Sequence, residues 1–299
     1  MSDRLTVVKT CKLFIGGAFP RSESGRVLPV ASPRRKDAAP VAYVAHASRK
    51  DLRDAVEAAA RAQPGWAARD AYNRGQVLHR LAEVLEDRRA AFIDAIRAGS
   101  TATAAVARRE VDAAVDRLVS YAGWADKYGH VLGTHDPVSG PYYAFTVPEA
   151  TGVVVLLPPA SPALLGLVQM TAASICTGNA VILVAPAGPG TNPLPAVQVS
   201  EACGASDIPS GVVNLLTGLP SELVPHIARH RGIDAVGAAA SGLDAESIAV
   251  LRGGAAENLK RVHVETADGA RWYDAEAMST PWSLEPFVEF KTIWHPAAT

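Results

Sequence analysis

The spacing of apolar positions changes twice along the chain, and each change predicts a different kind of element. In the first part, short apolar runs are broken by glycine and proline. Lys12 to Phe19 reads KLFIGGAF, and Val27 to Ser32 and Pro40 to Ala45 follow. Runs of this kind predict strands separated by turns. From Ser48 onward the period becomes helical. Ser48 with Asp51 three residues later forms a capping signature, and Leu52, Ala55, Val56 and Ala59 lie along one face. Gln63-Pro64-Gly65 predicts the end of that helix. A second helix is expected over about 71–98, with Val77, Leu78, Leu81, Val84, Leu85, Phe92 and Ile96 inward. A third is expected over about 103–128, with Val106, Val111, Val115, Leu118 and Trp124 inward. Tyr142 to Val147 reads as a linking strand.

Beyond Gly152 the pattern alternates. Apolar runs at 152–157, 180–185, 211–216, 233–238 and 261–265 predict strands. The segments 162–177, 193–203, 222–230 and 245–253 predict the helices between them. Repeated β-α units imply an α/β fold with a doubly wound parallel sheet. Sheets of this class bind ligands at the carboxyl ends of their strands. The loops near Pro158, Pro186, Thr217 and Ala239 are therefore where a site is expected.

From Ala150 to Ser200 there is no Asp, Glu, Lys or Arg. A membrane span needs about 20 apolar residues in a row. Pro158, Pro159, Pro162, Gly178-Asn179 and Pro186 interrupt this stretch, so it reads as buried strands and a buried helix. Of the 299 residues, 48% are hydrophobic and 20% charged, and the net charge is -1. That balance offers nothing to nucleic acid or to an anionic membrane surface. The three cysteines, Cys11, Cys176 and Cys203, form no CxxC pair and no metal-ligand spacing. A reducing cytoplasm is the expected compartment, and Met1-Ser2-Asp3-Arg4 opens no secretory signal.

Several segments together resemble the aldehyde dehydrogenase superfamily. They are FIGGAF, SRKDLRDAVEAAARAQPGWAA, NRGQVLHRLAEVLEDRRAAF, TGVVVLLPPASPAL, CTGNAVILVAP, DIPSGVVNLLTG and NLKRVHVE, all in the family's order. The resemblance implies a nicotinamide-nucleotide-binding α/β domain, a catalytic domain and a small β flap that joins subunits. It divides this chain into an N-terminal β segment contributing to the flap (1–47), the nucleotide-binding-like domain with its N-terminal helices (48–265), and a linker with a C-terminal oligomerisation strand (266–299). After Glu265 the resemblance jumps to SLEPFVEFKTIWHP near the C-terminus. The intervening stretch, which in the family carries the cysteine nucleophile, has no counterpart.

The family's chemistry requires a thiolate that attacks the aldehyde, donors for the oxyanion, a base for deacylation and a nicotinamide that accepts hydride. Measured against those needs, most positions are depleted. The segment Pro158-Pro159-Ala160-Ser161-Pro162 replaces Pro-Trp-Asn-Phe-Pro, so Ala160 stands where the oxyanion amide belongs. Ser161 reads as an N-cap with Pro162 at the first helical position. The segment Val184-Ala185-Pro186-Ala187-Gly188 replaces the Lys-Pro-Ala/Ser-Glu that holds the adenine ribose. Ala238-Ala239-Ala240-Ser241-Gly242 replaces Phe-Thr-Gly-Ser, with Ser241 expected to cap the following helix and leave N–H groups for an anion. Glu265 matches the general-base glutamate. The resemblance thus assigns Glu265 to catalysis, as a vestige, and Pro158, Pro186, Gly218 and Ser241 to cofactor contact, with NAD or NADP bound weakly or not at all.

His226 and His230 share a helix face without the glutamate of HExxH and read as solvated. Gly188-Pro189-Gly190 lacks phosphate-loop spacing and reads as a plain loop. Trp282, Phe287, Phe290 and Trp294 put large aromatics near the C-terminus and predict a surface covered by another chain. The expected role is a non-catalytic structural or regulatory subunit, in a homo- or hetero-oligomer with a full-length aldehyde dehydrogenase. An active NAD(P)-dependent oxidoreductase and a nucleotide-binding module without chemistry are the alternatives.

Overall fold

The structure, a computed structural model, describes residues 7–34 and 39–297. Its first strands, β1 (Lys9–Cys11), β2 (Val27–Val30) and β3 (Ala42–Ala45), form a sheet of their own in the order β1-β3-β2. The KLFIGGAF run makes the expected Gly-Gly turn, but isolated bridges take the place of the expected strand around it. Ile15 and Ala18 exchange backbone hydrogen bonds of 2.9 and 3.0 Å around Gly16 and Gly17, whose φ angles are 60° and 81°. Only glycine adopts that left-handed pair without strain. Phe14 exchanges backbone bonds of 3.0 and 2.7 Å with Leu215, so the N-terminal segment is stitched to the edge of the main sheet. Its strands pair with one another and not with the C-terminal flap.

Helix α1 (Arg49–Ala67) opens with the capping box read from the sequence: Ser48 Oγ accepts from the Asp51 N–H and Asp51 accepts from the Ser48 N–H. Contrary to expectation, α1 runs through Pro64. Trp66 is buried there, and its Nε1 donates to the Ile175 carbonyl at 2.9 Å, which anchors the last turn. The expected second helix is divided into α2 (Ala71–Asp87) and α3 (Arg89–Ala98) at Arg88, whose ψ of 13° leaves the helical region. Helix α4 (Ala104–Trp124) keeps Val111 and Leu118 inward as predicted, with Val115 and Trp124 partly buried against the core, and departs from the prediction at Val106. Val106 is exposed, while Ala107, Glu110, Val111, Ala114, Arg117, Leu118 and Tyr121 are buried. A short α5 (Tyr128–Leu132) leads to β4 (Thr134–Asp136) and β5 (Tyr142–Ala150).

The alternating half then follows the sequence pattern: β6 (Val153–Leu157), α6 (Leu165–Cys176), β7 (Ala180–Pro186), α7 (Leu194–Cys203), β8 (Val213–Gly218), α8 (Pro220–Arg229), β9 (Ala235–Ala239), α9 (Ala245–Asn258) and β10 (Arg261–Glu265). All pairings in this sheet are parallel, in the order β10-β9-β6-β7-β8. Helices α2, α4, α6 and α7 cover one face and α1, α8 and α9 the other, giving two apolar clusters. Burial on both faces explains the unbroken apolar strands. Every residue of α6 is buried because the sheet covers one side of this helix and α2 and α4 pack on the other.

The chain after Glu265 folds back over α4 and α6. Tyr121 Oη donates to the Met278 carbonyl at 2.7 Å, Trp124 Nε1 to Ser279 at 2.7 Å, and Arg117 Nη2 to Trp272 at 3.1 Å. Through a short α10 (Ala275–Met278) it reaches β11 (Val288–Pro296), which runs antiparallel to β5 along its whole length. The flap is thus a three-stranded sheet, β11-β5-β4. Among the described residues, no helix is long and apolar enough to cross a membrane.

Candidate functional site

Parallel register brings the sequence-predicted site residues into one row along the carboxyl edge of the main sheet. Glu265 ends β10, Ser241 follows β9, Pro158 follows β6, Pro186 ends β7 and Gly218 ends β8, in that spatial order. Neighbouring strands are about 4.8 Å apart, so the row spans four such steps. Pro186 and Gly218 are direct register partners. A Cβ added to Gly242 would lie 2.9 Å from the Pro158 carbonyl oxygen, so the turns after β9 and β6 touch backbone to backbone.

Over β6, β7 and β8 lies a cleft of about 890 Å³. Its walls include Ala160 and Ser161 after β6, Ala187 to Pro193 after β7, Leu219 after β8, and Val106 and Glu110 of α4. None of Pro158, Pro186, Gly218, Ser241 and Glu265 is among its lining residues; after β6, β7 and β8 these begin one or two positions beyond Pro158, Pro186 and Gly218. Among the described residues, none that lines it is Lys, Arg or His.

Two residues of this cleft were not read from the sequence. Glu110 is buried on α4, and its Oε1 accepts from the Leu164 and Leu165 N–H groups at 2.7 and 3.2 Å. That carboxylate satisfies the start of α6, where Ser161 was expected to act as the cap. The helix begins at Leu165, four residues beyond Ser161, which removes Ser161 from capping reach. Desolvation raises the Glu110 pKa against the opposing pull of those two N–H groups. The second residue, Tyr273, sits under the Arg109 guanidinium at 4.7 Å, and burial pushes its phenol up to about 12. A carboxylate at an inward helical position between Ala107 and Val111 is the signal of Glu110 in the sequence.

The helix after β9 also differs from expectation. Ser241 lies in a 3₁₀ turn, Ala240–Gly242, and is exposed. The cap of α9 is Asp244, whose Oδ1 accepts from the Ser247 N–H at 2.7 Å. With Glu246 also in the first turn, this helix start is already supplied with negative charge.

None of the three thiols is poised for attack. Cys11, Cys176 and Cys203 are all buried and free. Desolvation pushes Cys176 and Cys203 each up to about 12 and raises Cys11. A thiol so protonated is a packing group and not a nucleophile. Glu265 has a local role, its Oε1 accepting from the Ala267 N–H at 2.8 Å. His230 Nδ1 accepts from the Gly232 N–H at 3.1 Å. Among the described residues, no group of three or more His, Cys, Asp or Glu side chains is placed to hold a metal.

Fold and site together define a Rossmann-like α/β chain with an appended antiparallel flap. The model of the aldehyde dehydrogenase family matches residues 19–269, and the chain belongs to that family. It is 34% identical to retinal dehydrogenase 2 of Mus musculus over 263 residues, covering 86% of this chain and 49% of that protein. It is 32% identical to cytosolic aldehyde dehydrogenase 1 of Elephantulus edwardii, covering 86% and 50%. Among solved structures, the NAD+ complex of an aldehyde dehydrogenase from Bacillus cereus superposes with a TM-score of 0.78 at 25% identity, over 86% of this chain and 50% of the other. The chain thus spans about half the length of the curated relatives it matches.

Proposed function

We propose that this chain is a non-catalytic subunit, a pseudoenzyme that keeps the aldehyde dehydrogenase scaffold and assembles with a full-length NAD(P)-dependent aldehyde dehydrogenase. The observation that carries this reading is the uncovered flap on a chain whose three thiols are all buried. In β11, Val288 is buried, while Phe290 and Trp294 are 42% and 57% exposed. Tyr142 and Tyr143 of β5 are exposed beside them, with Tyr142 and Trp294 meeting edge to face at 5.8 Å. Aromatics gathered on an open sheet favour burial by a partner. The same flap would serve a homo-oligomer, so the partner's identity is part of the proposal.

The residues at the carboxyl edge do not fit NAD or NADP well. Ala185 and Gly188 stand where the family's ribose-binding lysine and glutamate are needed, and Asp244 and Glu246 occupy the helix start beneath a pyrophosphate. Each lost hydrogen bond weakens binding by about 0.5–1.5 kcal/mol. We therefore assign weak cofactor binding and no hydride chemistry to this chain alone. Its free thiols suit a reducing compartment, and we place it in the cytoplasm. The test is reduced-cofactor formation by the purified chain with a panel of aldehydes and NAD or NADP. The reading expects none, and steady turnover would remove it.

A further inference from the structure

We infer that β10 is a self-association edge, through which two copies of this chain pair antiparallel about a two-fold axis at His263. The strand ends the main sheet: among the described residues its strand neighbour is β9 alone. All five of its residues are half-buried and none is fully covered. The Arg261 N–H donates to Asp234 at 3.1 Å, toward β9. In a parallel ladder the peptide groups alternate in direction. Those of Arg261, His263 and Glu265 therefore face β9, and those of Val262 and Val264 face outward without a ladder partner.

The strand sequence is self-complementary when it meets its own copy antiparallel. Centred on His263, the pairing sets Arg261 opposite Glu265 at both ends and Val262 opposite Val264 twice. The outward peptides of Val262 and Val264 then become the hydrogen-bonded pairs, and His263 faces its own copy at a non-hydrogen-bonded position. Slipping by two residues in either direction sets Arg261 or Glu265 against His263 and leaves one charge unmatched. Parallel pairing would set like charge on like charge. The charged groups are also positioned to meet. Arg261 is steadied by its bond to the Val288 carbonyl and its Nε at 3.3 Å from Glu289, which leaves Nη2 for a partner carboxylate. Glu265 uses Oε1 on Ala267 and keeps Oε2. An open edge with outward peptides invites strand addition, and an isologous two-fold contact closes after two copies. Arg261 touches the start of the flap strand at Val288 and Glu289, but the exposed flap aromatics Phe290 and Trp294 take no part in the pairing, so this inference is tested independently of assembly with a full-length relative.

A cysteine at the axis provides the test. Facing residues at a non-hydrogen-bonded position lie about 4.5 Å apart between Cα atoms, within disulfide range. Mild oxidation of His263→Cys should give a disulfide-linked species of twice 31.3 kDa on a non-reducing gel. Thr266→Cys, exposed but off the axis, should stay monomeric under the same conditions. In sedimentation, Glu265→Arg should self-associate at least tenfold more weakly than wild type. An equal mixture of Glu265→Arg and Arg261→Glu should associate again, because each charge then meets its opposite. The inference is overturned if His263→Cys cross-links no faster than Thr266→Cys, or if Glu265→Arg associates as wild type does.

Discussion

Glu110 shows how one side chain joins a helix, a cleft and a loop. Its carboxylate holds the first N–H groups of α6 while lining the apolar cleft. Glu110→Ala should lower stability by about 1–2 kcal/mol for the lost cap. Glu110→Gln keeps an acceptor oxygen and should cost less, and denaturant midpoints compare the two. The raised pKa means that the folded state holds this proton to higher pH than the unfolded chain does. The contribution of Glu110 to stability therefore falls as pH rises above the ordinary glutamate value, and the Gln variant should lack that slope. Lys260 has the opposite sense. It is buried, donating to the Ile227 and His230 carbonyls at 2.7 and 2.9 Å, and desolvation lowers its pKa to about 8. Between about 8 and its ordinary value the unfolded chain binds a proton that the folded one does not. Wild type should thus gain stability over Lys260→Met as pH rises through that window, as measured by unfolding at each pH. These residues were hard to read from sequence because a charged residue in a helix is normally solvated. Glu110 and Arg117 are buried because main-chain groups from distant segments meet them, and no local pattern encodes that.

At the scale of elements, periodicity carried most of the fold. The alternating half was legible because two-sided burial forces apolar runs of strand length between glycine and proline. The misreadings arose where tertiary contacts overrode local signals. Pro64 did not end α1, since Trp66 beyond it is anchored on Ile175. KLFIGGAF keeps its Gly-Gly turn but makes isolated bridges in place of a strand, since Phe14 finds its backbone partner in Leu215. The caps of α6 and α9 moved from Ser161 and Ser241 to Glu110 and Asp244, because helix starts lie several residues beyond the strand ends. Asn179 ties these elements together. Fully buried, it accepts from the Gly152 N–H at 2.7 Å and donates to the Ser174 and Phe287 carbonyls at 3.0 and 2.8 Å. Asn179→Ala strands those groups and should cost about 2–4 kcal/mol. Amide exchange in β11 should quicken in that variant, because the strand begins one residue after Phe287.

For the molecule as a whole, the nucleotide-binding-like part of the family's scaffold is present, and the proposed role rests on its buried thiols and exposed flap. The two apolar clusters, the parallel register and the flap are all present, and the edge residues Pro158, Pro186, Gly218, Ser241 and Glu265 fall in one row. Family membership and the carboxyl-edge location were therefore readable from the sequence. The cleft itself was not, since its walls come from α4 and from loops far apart in the chain. The same chain has three buried thiols and an acidic start to α9, and on the proposed reading Ala160 stands at the oxyanion position. A scaffold of this kind serves best through its surfaces. The most direct test of that account is the native mass of the protein drawn gently from the cells that make it. The account predicts a complex holding this chain together with a full-length aldehyde dehydrogenase. Recovery of this chain alone, as monomer or homo-oligomer at every concentration, would contradict it.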